Sequence, residues 1–297
     1  MENFVIVTDS CSDLEKALRD KYDIDYIPMY MISEGKQSYA DLDWGEISVK
    51  DFYKSMREGV VYKTAQITAN DYIARFEEYL KDGKDVLYVA CSSALSNSIM
   101  ESRKAKEELE KKYPERKIIC VDSLNACYGL GLLAITASEL RKEGKTIEET
   151  AKYIEENRLT MHQECTVEKL TYFKNAGRVS ATTAFFGGIF NVKPIIISDA
   201  KGHNFAIEKV KGRKQSIARV AERMAGAYQA HPYQKVYLSH ADCEEDLMLL
   251  KEEIEKRVDL SGVDMHIGNI GPIIGATSGP GTVAVFFFGT EVTENKE

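Results

Sequence analysis

The stretch VLYVACSSALSNSIM, residues 86–100, sets Ser92, Ser93, Ser96, Asn97 and Ser98 where an apolar strand gives way to a helical pattern. Hydroxyls at such a junction cap the helix, act as nucleophiles, or hold an anion beside the unpaired N–H groups of the helix N-terminus. A nucleophile needs a base within reach. The G-x-S-x-G elbow is absent, because Ser92 and Ala94 flank Ser93. None of His162, His203, His231, His240 and His266 falls in a triad motif, so a Ser93-dependent esterase stands only as an alternative. Thr8-Asp9-Ser10, Thr64-Ala65-Gln66 and Asp122-Ser123 repeat the theme at other strand ends. These turns are rich in neutral hydroxyls and poor in Lys and Arg. They suit a carboxylate held by hydrogen bonds better than a multiply charged phosphate chain.

Other patterns offer less chemistry. Gly129-Leu130-Gly131-Leu132-Leu133-Ala134 approaches a dinucleotide fingerprint, but it lies several residues past the preceding strand and no strand-terminal acid follows. Helix packing is the use expected of those small residues. No phosphate-binding loop of the G-x-x-x-x-G-K-[ST] type occurs. His240 and Asp242, with Glu244, Glu245 and Asp246, read as an acidic first helical turn rather than a metal site. Phe185-Phe186-Gly187-Gly188-Ile189-Phe190 and the run Val283 to Phe288, which includes Phe286, are core or the wall of a long apolar pocket. Arg178 and the cluster Lys209, Lys211, Arg213 and Lys214 are surface charge or a docking face for an acidic or phosphate-bearing partner.

Composition narrows the field. The 297 residues are 44% hydrophobic and 29% charged, with a formal net charge of −8. No general affinity for nucleic acid or an anionic membrane surface is expected. Six cysteines without a C-x-x-C pair suggest free thiols in a reducing cytoplasm. No targeting segment or membrane-spanning run is visible.

The elements that must position these turns alternate strand and helix through the first half. Strands are expected at Phe4 to Thr8, Ile27 to Ile32, Val86 to Ala90 and Lys117 to Val121. Helices are expected after Ser12 with Glu15, after Ser48, after Thr68, from Ser96, from Tyr128, and after Thr146 with Glu149. The second half is α+β, with a hairpin about Lys201-Gly202 and a helix ended by Gly177. The fold class is therefore α/β with two domains: residues 1–157 a parallel α/β domain, residues 158–297 an α+β domain with a mixed or antiparallel sheet.

The ordered set Val7-Thr8-Asp9-Ser10, Thr64-Ala65-Gln66, Ser92-Ser93-Ala94-Leu95-Ser96, Val121-Asp122-Ser123, Asn175-Ala176-Gly177-Arg178-Val179-Ser180, Val192-Lys193-Pro194-Ile195 and Gly279-Pro280-Gly281 resembles the DegV family, essentially end to end. The resemblance implies a cytoplasmic, non-enzymatic fatty-acid-binding protein with the ligand enclosed between or beside two domains. It needs no cofactor or metal and has no catalytic residue. A separate ATP-dependent fatty acid kinase subunit phosphorylates the presented carboxylate, the acyl phosphate feeds phospholipid synthesis, and transient membrane contact is allowed. Carried over residue by residue, Thr64 and Ser93 hold the carboxylate, with Ser92, Ser96, Thr277 and Ser278 beside them. Phe185, Phe186, Ile189 and Phe286 are assigned to the acyl chain. Arg178, Lys211 and Arg213 fall on the kinase-facing side. The sequence departs from the family pattern at Thr277, where the family often has His, and at Ala65, Ala94 and Asn97. A binding or sensing protein for another amphipathic ligand is the second reading.

Overall fold

The computed structural model describes residues 3–180 and 191–296. The chain begins with β1 (Phe4–Asp9), a 3-10 turn (Ser10–Ser12), α1 (Lys16–Tyr22), β2 (Ile24–Ile27), β3 (Tyr30–Ser33), β4 (Lys36–Tyr39), α2 (Val49–Arg57), β5 (Lys63–Ala65) and α3 (Ala69–Lys81). It continues through β6 (Asp85–Ala90), α4 (Ser98–Lys112), β7 (Ile118–Asp122), α5 (Cys127–Lys142), α6 (Ile147–Asn157), β8 (Met161–Thr166) and α7 (Thr171–Ala176). The last elements are β9 (Val192–Ser198), β10 (Asn204–Lys211), α8 (Arg213–Ala227), β11 (Lys235–His240), α9 (Glu244–Glu255), β12 (Asp264–Asn269), α10 (Pro272–Ser278) and β13 (Val283–Phe288).

Three sheets result. The first is parallel, in the order β2-β1-β6-β7. The second is mixed, in the order β10-β9-β8-β13-β11-β12, with β11 and β12 its parallel pair. The third is the small antiparallel sheet β4-β3-β5. Helix α5 packs against strands of both larger sheets, and 13 of its 16 residues are buried, so it is apolar all round rather than on one stripe. Its glycines serve that packing: a Cβ on Gly131 would stand 2.8 Å from the Ser12 carbonyl oxygen. One apolar core runs from Phe4 through Tyr88 and Leu133 to Phe286, across both larger sheets. A second core, with Ile217, Leu247 and Phe287, lies where α8 and α9 cover the mixed sheet.

Two local expectations fail for physical reasons. The Ser12–Glu15 capping box does not form. Asp9 caps the 3-10 turn by accepting the Cys11 N–H, Asp13 turns left-handed at φ 54°, and Glu15 becomes a helix N-cap without a side-chain bond. The Glu15 carboxylate instead accepts the Tyr128 hydroxyl at 2.7 Å and pairs with His266 at 2.5 Å. The single strand expected over Ile27 to Ile32 is cut at Pro28, whose missing N–H ends β2 and sends β3 to a different sheet. The box at Thr146 and the caps at Ser48 and Thr68 do form, the last as a full box with Asp71 that was not foreseen.

Candidate functional site

In the parallel sheet, β1 hands on to β2 at one side while β6 lies at the other, so the topological switch falls between β1 and β6. Ligand crevices open beyond the carboxyl ends of strands at such a point. Asp9 ends β1 there. Its carboxylate accepts the N–H groups of Cys11 and Cys91, both at 2.9 Å, and the Tyr88 hydroxyl at 2.8 Å. It thereby ties the turn after β1 to the turn after β6.

A cavity of about 290 Å3 sits at this edge, near the lower end of the usual size for small-molecule sites. Its wall draws on the turns after β1 and β6, on β5, on the mixed sheet and on α10. One end is polar: Thr64, Gln66, Ser96, Asn97, Thr277, Ser278 and Arg178. Asn97 and Arg178 are exposed, which marks this end as the mouth. The rest of the wall is uncharged, with Met29, Phe173, Ile270, Ile273, Ala284 and Phe286 beside the thiols of Cys11, Cys91, Cys127 and Cys165 and the polar side chains of Gln163, Asn204 and Thr282. Burial pushes the Cys165 thiol up to about 12, and the Cys91 thiol together with burial holds Cys11 well above the ordinary range. Neutral buried thiols behave as small apolar groups.

The electrostatics favour one anionic group at the mouth. No Asp or Glu lines the cavity among the described residues, and Arg178 supplies a positive charge. Arg178 donates from Nε to the Leu95 carbonyl at 2.7 Å and from Nη1 to the Ala176 carbonyl at 3.0 Å, and no carboxylate pairs with it among the described residues. The Ser278 hydroxyl is buried without a hydrogen-bond partner. Such a group is costly unless something occupies the space it faces. Asn97 is the N-cap of α4, and its side chain makes no cap bond. The 15-residue helix therefore aims its N-terminal field at the mouth. A second pocket of about 320 Å3 shares Thr64, Arg178 and Thr277 and adds Lys63, Tyr172 and Val61.

The four serines of the opening stretch have separate tasks. Ser92 is buried and donates to the Gly202 carbonyl at 2.8 Å, pinning the hairpin of the second half against the first. Gly202 has φ 80°, and a Cβ there would stand 2.2 Å from the Ser92 hydroxyl oxygen. Ser93 is exposed, does not line the cavity, and gives only its N–H to the Asp122 carboxylate at 3.2 Å. No base bonds its hydroxyl among the described residues, so the arrangement a nucleophile needs is not assembled. Ser96 lines the cavity, with its hydroxyl 2.9 Å from that of Ser98. Of the expected carboxylate group, Thr64, Ser96, Thr277 and Ser278 come together, and Ser92 and Ser93 do not.

Of the expected acyl-chain residues, Phe286 lines the cavity, and Phe185, Phe186 and Ile189 lie outside the described residues. Arg213, expected on the docking face, is engaged within the chain. It donates to the Asp246 carboxylate at 2.8 Å and to the Gly281 carbonyl at 2.6 Å, and so joins α8 to the loop before β13. Lys211 is exposed at the end of β10. Gln66, Asn97 and the cysteine walls were missed as site residues. The position of Cys11 and Cys91 beside hydroxyls at two strand ends was the available signal.

The comparisons with known proteins agree with this geometry. A DegV domain-containing protein of Clostridium perfringens is 38% identical over 291 residues, covering 97% of this chain and 98% of the relative. A Streptococcus pyogenes DegV domain-containing protein is 31% identical over 96% of this chain and 98% of its own length. A DegV lipid-binding protein of Thermotoga maritima superposes with a TM-score of 0.85 at 28% identity, covering 99% of this chain and all of that one. A second Thermotoga maritima structure, described as revealing fatty acid binding function, gives 0.84 at 27% identity, covering 97% of this chain and all of its own. The model of the DegV family, described as uncharacterised protein, matches residues 3–290, and with a switch-point cavity in the fold those proteins share, the chain belongs to the DegV family.

Proposed function

We propose that this protein binds a long-chain fatty acid, enclosing the acyl chain in the cavity and holding the carboxylate at its mouth. The observation that carries the reading is the cavity's lining: the unpartnered Ser278 hydroxyl and Arg178 among the polar groups at the mouth, uncharged and mostly apolar side chains along the rest, and no lining carboxylate among the described residues. About 15 methylenes gain about 0.8 kcal/mol each on burial, roughly 12 kcal/mol in all. An enclosed carboxylate works against that gain unless it is hydrogen-bonded. Thr64, Ser96, Ser278 and Asn97 offer such bonds. The finer part of the proposal is presentation of the carboxylate to a separate ATP-dependent kinase in the cytoplasm, for phospholipid synthesis. An exposed mouth carrying Arg178 supports that part, as does the second pocket beside it. Division of the chain into domains 1–157 and 158–297 belongs to the same reading. Native mass spectrometry of the purified protein, followed by lipid extraction, tests it. One fatty acid per chain is expected. An empty protein that also refuses added fatty acid would contradict it.

A further inference from the structure

Asp9 and the thiols of Cys11 and Cys91 place a carboxylate oxygen and two sulfurs within 4.8 Å of one another, all buried. The Met29 thioether sulfur lies 3.2 Å from the Cys11 sulfur. A metal–sulfur bond of about 2.3 Å sets two sulfurs on one ion roughly 3.8–4.6 Å apart. The Cys11 and Cys91 sulfurs lie within 4.8 Å, close to that span, and the Met29 sulfur at 3.2 Å needs to swing outward by about 0.6 Å or more to share an ion with Cys11. Both Asp9 oxygens are engaged, accepting two backbone N–H groups and the Tyr88 hydroxyl. The carboxylate therefore acts as the brace that fixes both cysteine backbones, and the free donors are three sulfurs. All three sulfur residues line the cavity, which gives an entry path.

We propose that Cys11, Cys91 and Met29 form a binding site for a soft monovalent cation of the Cu(I) class. Two thiolates and a thioether suit such an ion. A zinc site would require four ligands in tetrahedral array, and the fourth position is taken by a carboxylate already committed to hydrogen bonds. Binding forms two sulfur–metal bonds in place of two S–H bonds and releases two protons: Cu+ plus two thiols gives a bis-thiolate complex of charge −1, completed by the neutral thioether. The Asp9 bonds go to backbone N–H groups, so replacing either cysteine side chain leaves the brace in place. The site stands independently of the lipid-binding reading.

The test is an anaerobic titration of delipidated full-chain protein against Cu(I) held by the chromogenic chelator bathocuproine disulfonate. One Cu(I) per chain should transfer, with an X-ray absorption shell made of sulfur alone. C11S and C91S should each lose more than about 100-fold in affinity, since even outer-shell changes cost metal sites 10–100-fold. M29L, close to isosteric, should lose about tenfold, and C120S, outside the cavity, should be unchanged. Circular dichroism confirms folding, and M29L carries the test if a cysteine variant fails to fold. No transfer to the wild type overturns the proposal. So does transfer that survives in C11S, C91S and M29L alike.

Discussion

The mouth and the inner wall of the cavity are built from opposite chemistry. At the mouth, Thr64, Ser96, Asn97 and Arg178 face outward space, and no carboxylate lines it among the described residues. Along the wall, Ala284 and Phe286 are 3% and 1% exposed, and the thiols beside them are held neutral. The difference sets ligand polarity before any ligand arrives. A carboxylate placed against the wall would give up the Arg178 charge and the N-terminal field of α4, and a chain placed at the mouth would remain in water. The two ends also come from different elements: β5 and the turn after it, the N-terminus of α4, the end of α10 and the residue after the α7 cap make the mouth, while β8, β13 and the start of α10 supply much of the wall.

Filling the wall is the strongest way to break this contrast. Ala284→Phe should reduce uptake of a 16-carbon fatty acid by at least about 1,000-fold, about 4 kcal/mol of the roughly 12 kcal/mol of burial. Native mass spectrometry reads the loss, with circular dichroism as the folding control. Wild-type lipid content in this variant would place the ligand elsewhere. Blunting the mouth should cost less. A hydrogen bond to a charged group contributes about 1.5–3 kcal/mol, so the double variant Thr64→Ala with Ser278→Ala should bind about 100-fold more weakly by calorimetry. The protein should keep its melting temperature, because the Ser278 hydroxyl makes no hydrogen bond among the described residues and Thr64 is only half-buried on the three-residue β5. Arg178→Gln should cost about 3–10-fold, an effect that shrinks in high salt because the site is exposed. Ser93→Ala should leave affinity within about twofold, while Ser96→Ala weakens it. The reverse order would reassign the headgroup to the surface turn.

The smallest expected effect concerns the floor beneath the 3-10 turn. Asp13 is 4% exposed, and neither oxygen finds a hydrogen-bond partner among the described residues. Burial raises its pKa to about 8, and the nearby Cys127 thiol and Gly271 amide offset only part of that. The folded state therefore holds a proton that the unfolded chain gives up near the ordinary carboxylate value. The contribution of the neutral acid is full below about pH 4 and is lost as pH rises through about 8. Scanning calorimetry should show the melting temperature of the wild type falling by at least about 2–4 °C relative to Asp13→Asn between pH 5 and pH 8. Parallel curves would mean that Asp13 stays ionised in the folded chain.

What the sequence disclosed follows the range of each signal. The Thr68 and Thr146 caps and the left-handed Gly177 were legible because each is decided within three or four residues. The Ser12–Glu15 box misled because Glu15 is claimed by Tyr128 and His266, more than 100 positions away. Helix α10 went unread because Gly271, Gly275 and Gly279 disguise its seven residues as loop. Gly275 is in fact packed against the Tyr53 ring and hydroxyl. In the site, Thr64 and Ser96 could be placed from strand-end position alone. The wall could not, since Cys165, Phe173 and Ala284 converge only when the mixed sheet pairs β8 with β13. The engagement of Arg213 within the chain was hidden likewise: its partner Asp246 is brought to it by the packing of α8 against α9.

The most direct test of the central claim compares two ligands that differ only at the end the mouth receives. Delipidated protein would be titrated calorimetrically with a 16-carbon fatty acid and with its methyl ester. If the mouth holds a carboxylate, the acid should bind at about one per chain and at least about tenfold more tightly than the ester, with the gap closing in the Thr64→Ala, Ser278→Ala double variant. Equal affinities in the wild type, or binding of neither, would contradict the account.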